Sequence, residues 1–453
     1  MRHKPRNRAN AARIWMTDER SKGFLSSRMR IFGFPRLWLR GVMAHIFISA
    51  SALHLLAQSW IKTSAPMNNW VAVACSADAQ RIVAAGYQDG IYCTTNSGET
   101  WVETSAQPSA WSCLASSADG MKLVAAVYGG LIYTSTNGGA IWTPCTAPAH
   151  SWRVLSSSAD GMKLFAGFIG NVEDGGLYTS VDSGASWMLN KTLTNDCLSI
   201  ATSPDGWKLI AMTRTWPTPG GWFGSIYQST DAGATWTTTS TNTALNLVAS
   251  SDGRNAVMTI GFGGGIMGTG YGSMFVTTNA GTTLLPTSVS PAAWSSIATS
   301  VDGNQLVAVV GGPSWSPTIT GPIYTSADSG TNWTLTDAPT NECWTSAASS
   351  ADGRELVAVS GVVITSGTSS RQGSIYISQV TPSPVLDIYL SSENLVVSWI
   401  VPSLKFALNE ATDPAKAAWA PVAVAPTINY SNLQYQVTIP KPQGTMFYRL
   451  VSQ

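Results

Sequence analysis

Five carboxylates, Asp89, Glu173, Asp174, Asp196 and Glu342, are the acidic residues whose positions invite an acid–base reading. Glycoside hydrolysis needs two carboxyl groups about 5–10 Å apart across the scissile bond. No pair among the five recurs in a recognisable motif, and a solvated loop carboxylate is the simpler account of each. His150 is the one histidine left if the first 57 residues are removed. One imidazole builds no multi-histidine metal cage, and nothing pairs it with a nucleophile, so a solvated loop histidine is expected. The six cysteines, Cys75, Cys93, Cys113, Cys145, Cys197 and Cys343, form no C-x-x-C pair and are expected as buried free thiols. No glycine-rich stretch has phosphate-loop spacing before a helix. Neither a metal nor a cofactor is therefore expected. Aromatic and basic residues in loop-like segments point elsewhere. Trp216, Trp222, Tyr271 and Trp315, with Arg214 and Arg371, have the apolar faces and polar edges that bind a ligand.

The chain that must position them has 453 residues, 44% of them hydrophobic and only 11% charged. Disorder is thereby excluded. Forty-one glycines and 19 tryptophans suggest short strands and tight turns around aromatic packing. The net charge of +1 hides an asymmetry. Residues 1–40 carry eleven Lys/Arg and two Asp/Glu, so the rest is acidic, with 15 basic and 23 acidic residues. Nucleic-acid binding needs clustered positive charge, which this body lacks.

The basic start leads into an apolar run, Gly41 to Ala57, with Ala50-Ser51-Ala52 as a cleavage pattern. Residues 1–57 are expected to be a signal peptide, or else a signal-anchor, and the protein to be secreted or extracytoplasmic. Membrane contact is expected only if that segment is retained. Thr381-Pro382-Ser383-Pro384 reads as a linker, and residues 385–453 as a small β-sandwich seeded by Trp399 and Trp419.

Between them, three motifs recur in register. S-x-D-G turns place aspartates at Asp78, Asp119, Asp160, Asp205, Asp252, Asp302 and Asp352, with Ala79 replacing the first glycine. Each is followed by a strand aromatic: Tyr92, Tyr133, Tyr178, Tyr227, Phe275, Tyr324 or Tyr376. A third motif, S/T-x-D/N-x-G-x-x-W, then carries Asn96, Asn137, Asp182, Asp231, Asn279 or Asp328, with Leu284 replacing the tryptophan in one copy. This last pattern resembles the Asp-box, or BNR, repeat. Its acidic side chain serves a turn by accepting backbone N–H groups, and is not a catalytic aspartate.

Each repeat reads as four strands, a to d, so residues 58–379 are expected to form an all-β, seven-bladed β-propeller. The last copy lacks strand d. Residues 59–66 resemble the Thr100–Ser105 segment that carries Trp101, so this N-terminal strand is expected to complete the last blade and close the ring. Strand alternation puts the repeated turns on one face, and the variable b–c and d–a connections on the other, where binding is expected. Trp70, Trp111, Trp152, Trp294 and Trp344, at the start of strand a beside that face, either pack between blades or ring the channel mouth as a ligand platform.

Asp-box propellers include sialidases, xyloglucan-active glycosidases, sortilin-type receptors and photosystem II assembly factors, and the resemblance covers residues 59–378. It implies fold strongly and chemistry weakly. A sialidase would need an arginine triad, but its F-R-I-P motif is absent; only Arg153, Arg214 and Arg371 stand off the scaffold turns, in different blades. The expected function is non-catalytic binding of a glycan or an extracellular protein through the long-loop face. A glycoside hydrolase using the same face is the alternative.

Overall fold

The computed structural model describes residues 60–452, apart from 171–174, 215–223, 241–245, 250–254, 262–271, 280–281, 313–318, 365–369, 380–385, 392–393, 401–405, 413–418, 430–433 and 441–445. The expected signal segment, the linker, and Trp216, Trp222, Tyr271, Trp315, Glu173 and Asp174 lie outside the described residues. Every described regular element is a strand, as the glycine and tryptophan content implies.

The strands pair antiparallel in units of four. The first unit is Trp70–Cys75, Ile82–Asp89, Ile91–Thr94 and Val102–Glu103. The same pattern recurs in units beginning at Ser109–Ser116, His150–Ser157, Asp196–Thr202, Asn246–Ala249 and Trp294–Thr299. The last unit starts with Trp344–Ser349, Glu355–Ser360 and Ile375–Gln379, and its fourth strand is Trp60–Lys62 from the other end of the chain. Trp60 stands opposite Ser378 and Lys62 opposite Tyr376. The backbone N–H of Trp60 donates to Asp337 Oδ1 at 3.2 Å.

The inner strands touch their neighbours in sequence, and the first also touches the last. The Thr345 hydroxyl donates to the Trp70 carbonyl at 2.8 Å, across that seam. A second link runs through the S-x-D-G turns. Ala77 N–H donates to Ala118 O, Ala118 to Ala159, and Ala159 to Pro204; Val301 donates to Ala351, and Ala351 to Ala77. Within each described turn the aspartate accepts the serine hydroxyl, as in Ser158 Oγ to Asp160 Oδ1 at 2.6 Å. The turn glycines need positive φ, +65° at Gly161, where a Cβ would also meet Lys122 Cδ of the preceding unit at 2.7 Å. Ala79 adopts the same region at φ 51° without glycine's freedom.

The C-terminal residues form a four-stranded and a three-stranded sheet over a shared core of Leu395, Val397, Trp399, Leu408, Val437 and Tyr448. Trp419 departs from expectation. It lies outside that core, beneath the Arg449 guanidinium at 4.3 Å. Tyr435 of this module packs against Ala77 and Ala351, at the seam turns.

Trp60 is enclosed in the hydrophobic cluster of the last unit. Trp60→Ala is expected to cost about 3 kcal/mol, read by denaturant unfolding; an unchanged midpoint contradicts closure by the N-terminal strand. Glu355 lies buried at the seam between the last unit and the first, with Ser97 Oγ 3.5 Å away, and burial raises its pKa from 4.5 to about 8, with Asp352 and Asp78 adding to the rise. The folded state then holds a proton that the unfolded chain releases above 4.5, so stability declines as pH rises between these values. Thermal midpoints measured from pH 5 to 8 are expected to fall for the wild type, and to flatten in Glu355→Gln.

Candidate functional site

The acid-bearing turns are scaffold. In the copy at residues 180–187, Asp182 Oδ1 accepts the Ser186 N–H at 2.9 Å and the Ser180 hydroxyl at 2.8 Å. The Ser180 oxygen accepts the Gly184 N–H, and the Trp187 indole donates to Gly184 O at 3.1 Å. Asp231 and Asp328 repeat this pattern, and Asn96, Asn137 and Asn279 accept the corresponding N–H groups. Bonds from the Thr235 hydroxyl and backbone hold Asp231 down at about 2. Such a carboxylate is spent on its own turn.

The strand-a tryptophans are interior residues. Trp111, Trp152, Trp294 and Trp344 are between 0% and 6% exposed. Trp152, Trp294 and Trp344 meet the tyrosine of their own unit edge-on, with centroids 5.3–5.8 Å apart. Their indole N–H groups donate to Gly130, Gly272 and Gly321 in the preceding unit. Enclosed rings offer no face to a ligand, so the channel-mouth platform is withdrawn and packing between units stands.

Three of the five candidate carboxylates are committed to internal bonds. Asp89 accepts from Asn68 Nδ2 and Gly90 N. Asp196 pairs with Arg214 at 3.2 Å and accepts the Gly170 N–H. Glu342 is 1% exposed and accepts the hydroxyls of Ser360 at 2.8 Å and Tyr376 at 3.2 Å. Arg153 is solvent-exposed yet surrounded by protein; that enclosure lowers its pKa, and neighbouring Arg214 does so further. Arg371 lies on the short strand Ser370–Arg371. No arginine triad assembles from the described side chains.

One position carries different chemistry in each of the five units that have a strand-a tryptophan. It lies two residues before the strand-a tryptophan: Asn68, Ser109, His150, Ala292 and Glu342. Across from that tryptophan stand Gly86, Val127, Phe168, Val310 and Ser360. In the last unit the pair is Glu342 with Ser360, closed and buried. In the unit of Trp152 it is His150 on Phe168, stacked with centroids 4.0 Å apart and planes at 21°. Tyr178 lies 5.6 Å from the histidine. His150 is thus part of a strand and an aromatic cluster, not a solvated loop residue as expected.

This unit opens to solvent. A recess of about 760 Å³ is lined by His150, Phe168 and Tyr178, by the exposed Lys191, and by Gly129, Gly170 and Gly175. Its walls are strand ends and the b–c and d–a connections that join them, so it lies on the variable face. The missed signal is Phe168, an aromatic where the other described units carry smaller residues. Among the described residues no cluster of His, Cys, Asp and Glu suits a metal ion. All six cysteines are free. Cys113 and Cys197 are pushed up to about 12 by burial, which leaves no thiolate nucleophile there.

No protein-family model and no curated protein matches the sequence. Solved structures do. A GH74 enzyme from Niastella koreensis aligns with a TM-score of 0.50 at 14% identity, covering 87% of this chain and 74% of its own. The fold is a β-propeller. YCF48 from Cyanidioschyzon merolae aligns at 0.49 and 13% identity, over 71% of this chain and 98% of its own. The GH74 xyloglucanase from Xanthomonas campestris aligns at 0.49 and 15%, over 76% and 59%. At these identities the likeness extends to the fold alone.

If Asp182 serves its turn and nothing else, Asp182→Ala costs roughly 1 kcal/mol of stability through lost hydrogen bonds. Ligand affinity should remain that of the wild type; a stable variant that had lost binding would return the turn to the site.

Proposed function

We propose that this chain is an exported, non-catalytic binding protein: a seven-bladed Asp-box propeller that recognises a glycan or an extracellular protein through its long-loop face. A membrane is met only through an uncleaved N-terminal segment. The observation that carries this reading is the contrast on the variable face. Asp89, Asp196 and Glu342 are each occupied by internal partners, whereas an aromatic-lined recess next to Asp196 stands open. Hydrolysis of a glycosidic bond requires a carboxylic acid and a carboxylate that both reach the substrate. Binding requires only a shaped surface with a few polar groups.

A glycan array probed with the purified protein, followed by an assay for cleavage of any hit, tests the reading. The expected result is retention of a defined glycan, or of a protein partner, with no released product. Turnover that disappears in Glu173→Gln or Glu342→Gln, with folding intact, would instead establish a hydrolase.

A further inference from the structure

We propose that the recess beside Trp152 is a saccharide subsite, and that it prefers an acidic sugar ring to a basic one. This rests on the binding-face reading above and names the ligand class and place within it. A pyranose presents an apolar C–H face and a rim of hydroxyls, and the lining mirrors that division. His150, Tyr178 and Leu189 supply ring and aliphatic surface, with the buried Phe168 packed beneath the histidine. Thr194 supplies a hydroxyl, and glycines at 129, 170 and 175 bring backbone close to the opening without side chains to block it. About 760 Å³ accommodates a sugar unit with room for a neighbour.

The aromatic floor is rigid before any ligand arrives. His150 lies flat on Phe168 and meets Trp152 edge-on at 5.3 Å, while Trp152 is anchored to Gly130 O. Asn190 is held by Gly233 O and by the N–H groups of Thr192 and Leu193, so the connection bearing Lys191 is fixed on both sides. A preorganised aromatic floor loses little entropy on binding. An extended peptide would need a free strand edge, and the one at this recess, Met188–Leu189, is only two residues long. Lys191 is the charged side chain among the described lining residues, and it is cationic and exposed. That charge sets the preference for a ring carrying a carboxylate.

The test uses calorimetric titration of the whole protein with oligogalacturonate, cello-oligosaccharide and chitosan oligomers. Saturable binding is expected in the order acidic, neutral, basic. Ala149 is exposed on the rim, so Ala149→Trp fills the recess without touching the core and should abolish binding at an unchanged melting temperature. Lys191→Glu should weaken the acidic ligand at least tenfold and the neutral one by less than twofold. Binding that survives Ala149→Trp overturns the subsite while leaving the face reading intact. Absence of binding to all three ligands also overturns the subsite, and a protein partner retained by the same face would still preserve the broader reading. A basic-first order overturns the assigned preference.

Discussion

A ring of sheets must close without a covalent link, and here closure is carried by hydrogen bonds between turns. The described S-x-D-G turns are linked sideways through backbone N–H and carbonyl groups, which join Ala77, Ala118, Ala159 and Pro204 in one arc and Val301, Ala351 and Ala77 in another. The link from Ala351 to Ala77 crosses from the last unit to the first. Pro204 accepts but has no N–H to pass on, so the belt is interrupted there. The strand Trp60–Lys62 adds the second closure, satisfying the outer edge of the last sheet. Uniform turns on one face are what free the opposite connections to vary.

That freedom is used unevenly. One architectural position, two residues before the inner-strand tryptophan, holds an amide in one unit, an imidazole in another and a carboxylate in a third. Its neighbour across the ladder decides whether the position is filled or open. Gly86 leaves space that Asn68 occupies, since a Cβ there would lie 2.5 Å from Asn68 Nδ2. Ser360 closes over Glu342. Phe168 turns His150 into the floor of a recess. Repetition builds the frame, and single substitutions at one register position give units different chemistry.

The all-β ring was legible because three motifs repeat in register, and the distance between Trp60 and Trp70 matched that in other repeats closely enough to identify the closing strand. In the C-terminal module, alternation located five strands, but Ala420–Pro421 and Thr427–Asn429 are too short to carry a period. The site was less legible. Trp111, Trp152, Trp294 and Trp344 have the composition of a sugar platform, and only burial distinguishes such a platform from interblade packing. His150 read as an isolated polar residue because its partners, Phe168 and Tyr178, are brought to it by strand pairing and not by sequence proximity. Glu342 was found as a carboxylate on the right face, but its burial beneath two hydroxyls is a tertiary fact.

The central claim is that the ring closes into a single cooperative unit through the turn belt. Native-state hydrogen exchange at the Ala351 amide tests it most directly, because that N–H crosses the seam to Ala77 O at 2.7 Å. The account predicts that Ala351 exchanges as slowly as Ala118 and Ala159, through global unfolding alone. Exchange at Ala351 far faster than at those two amides would mean that the seam opens by itself, and would contradict closure as the constraint on which the fold rests.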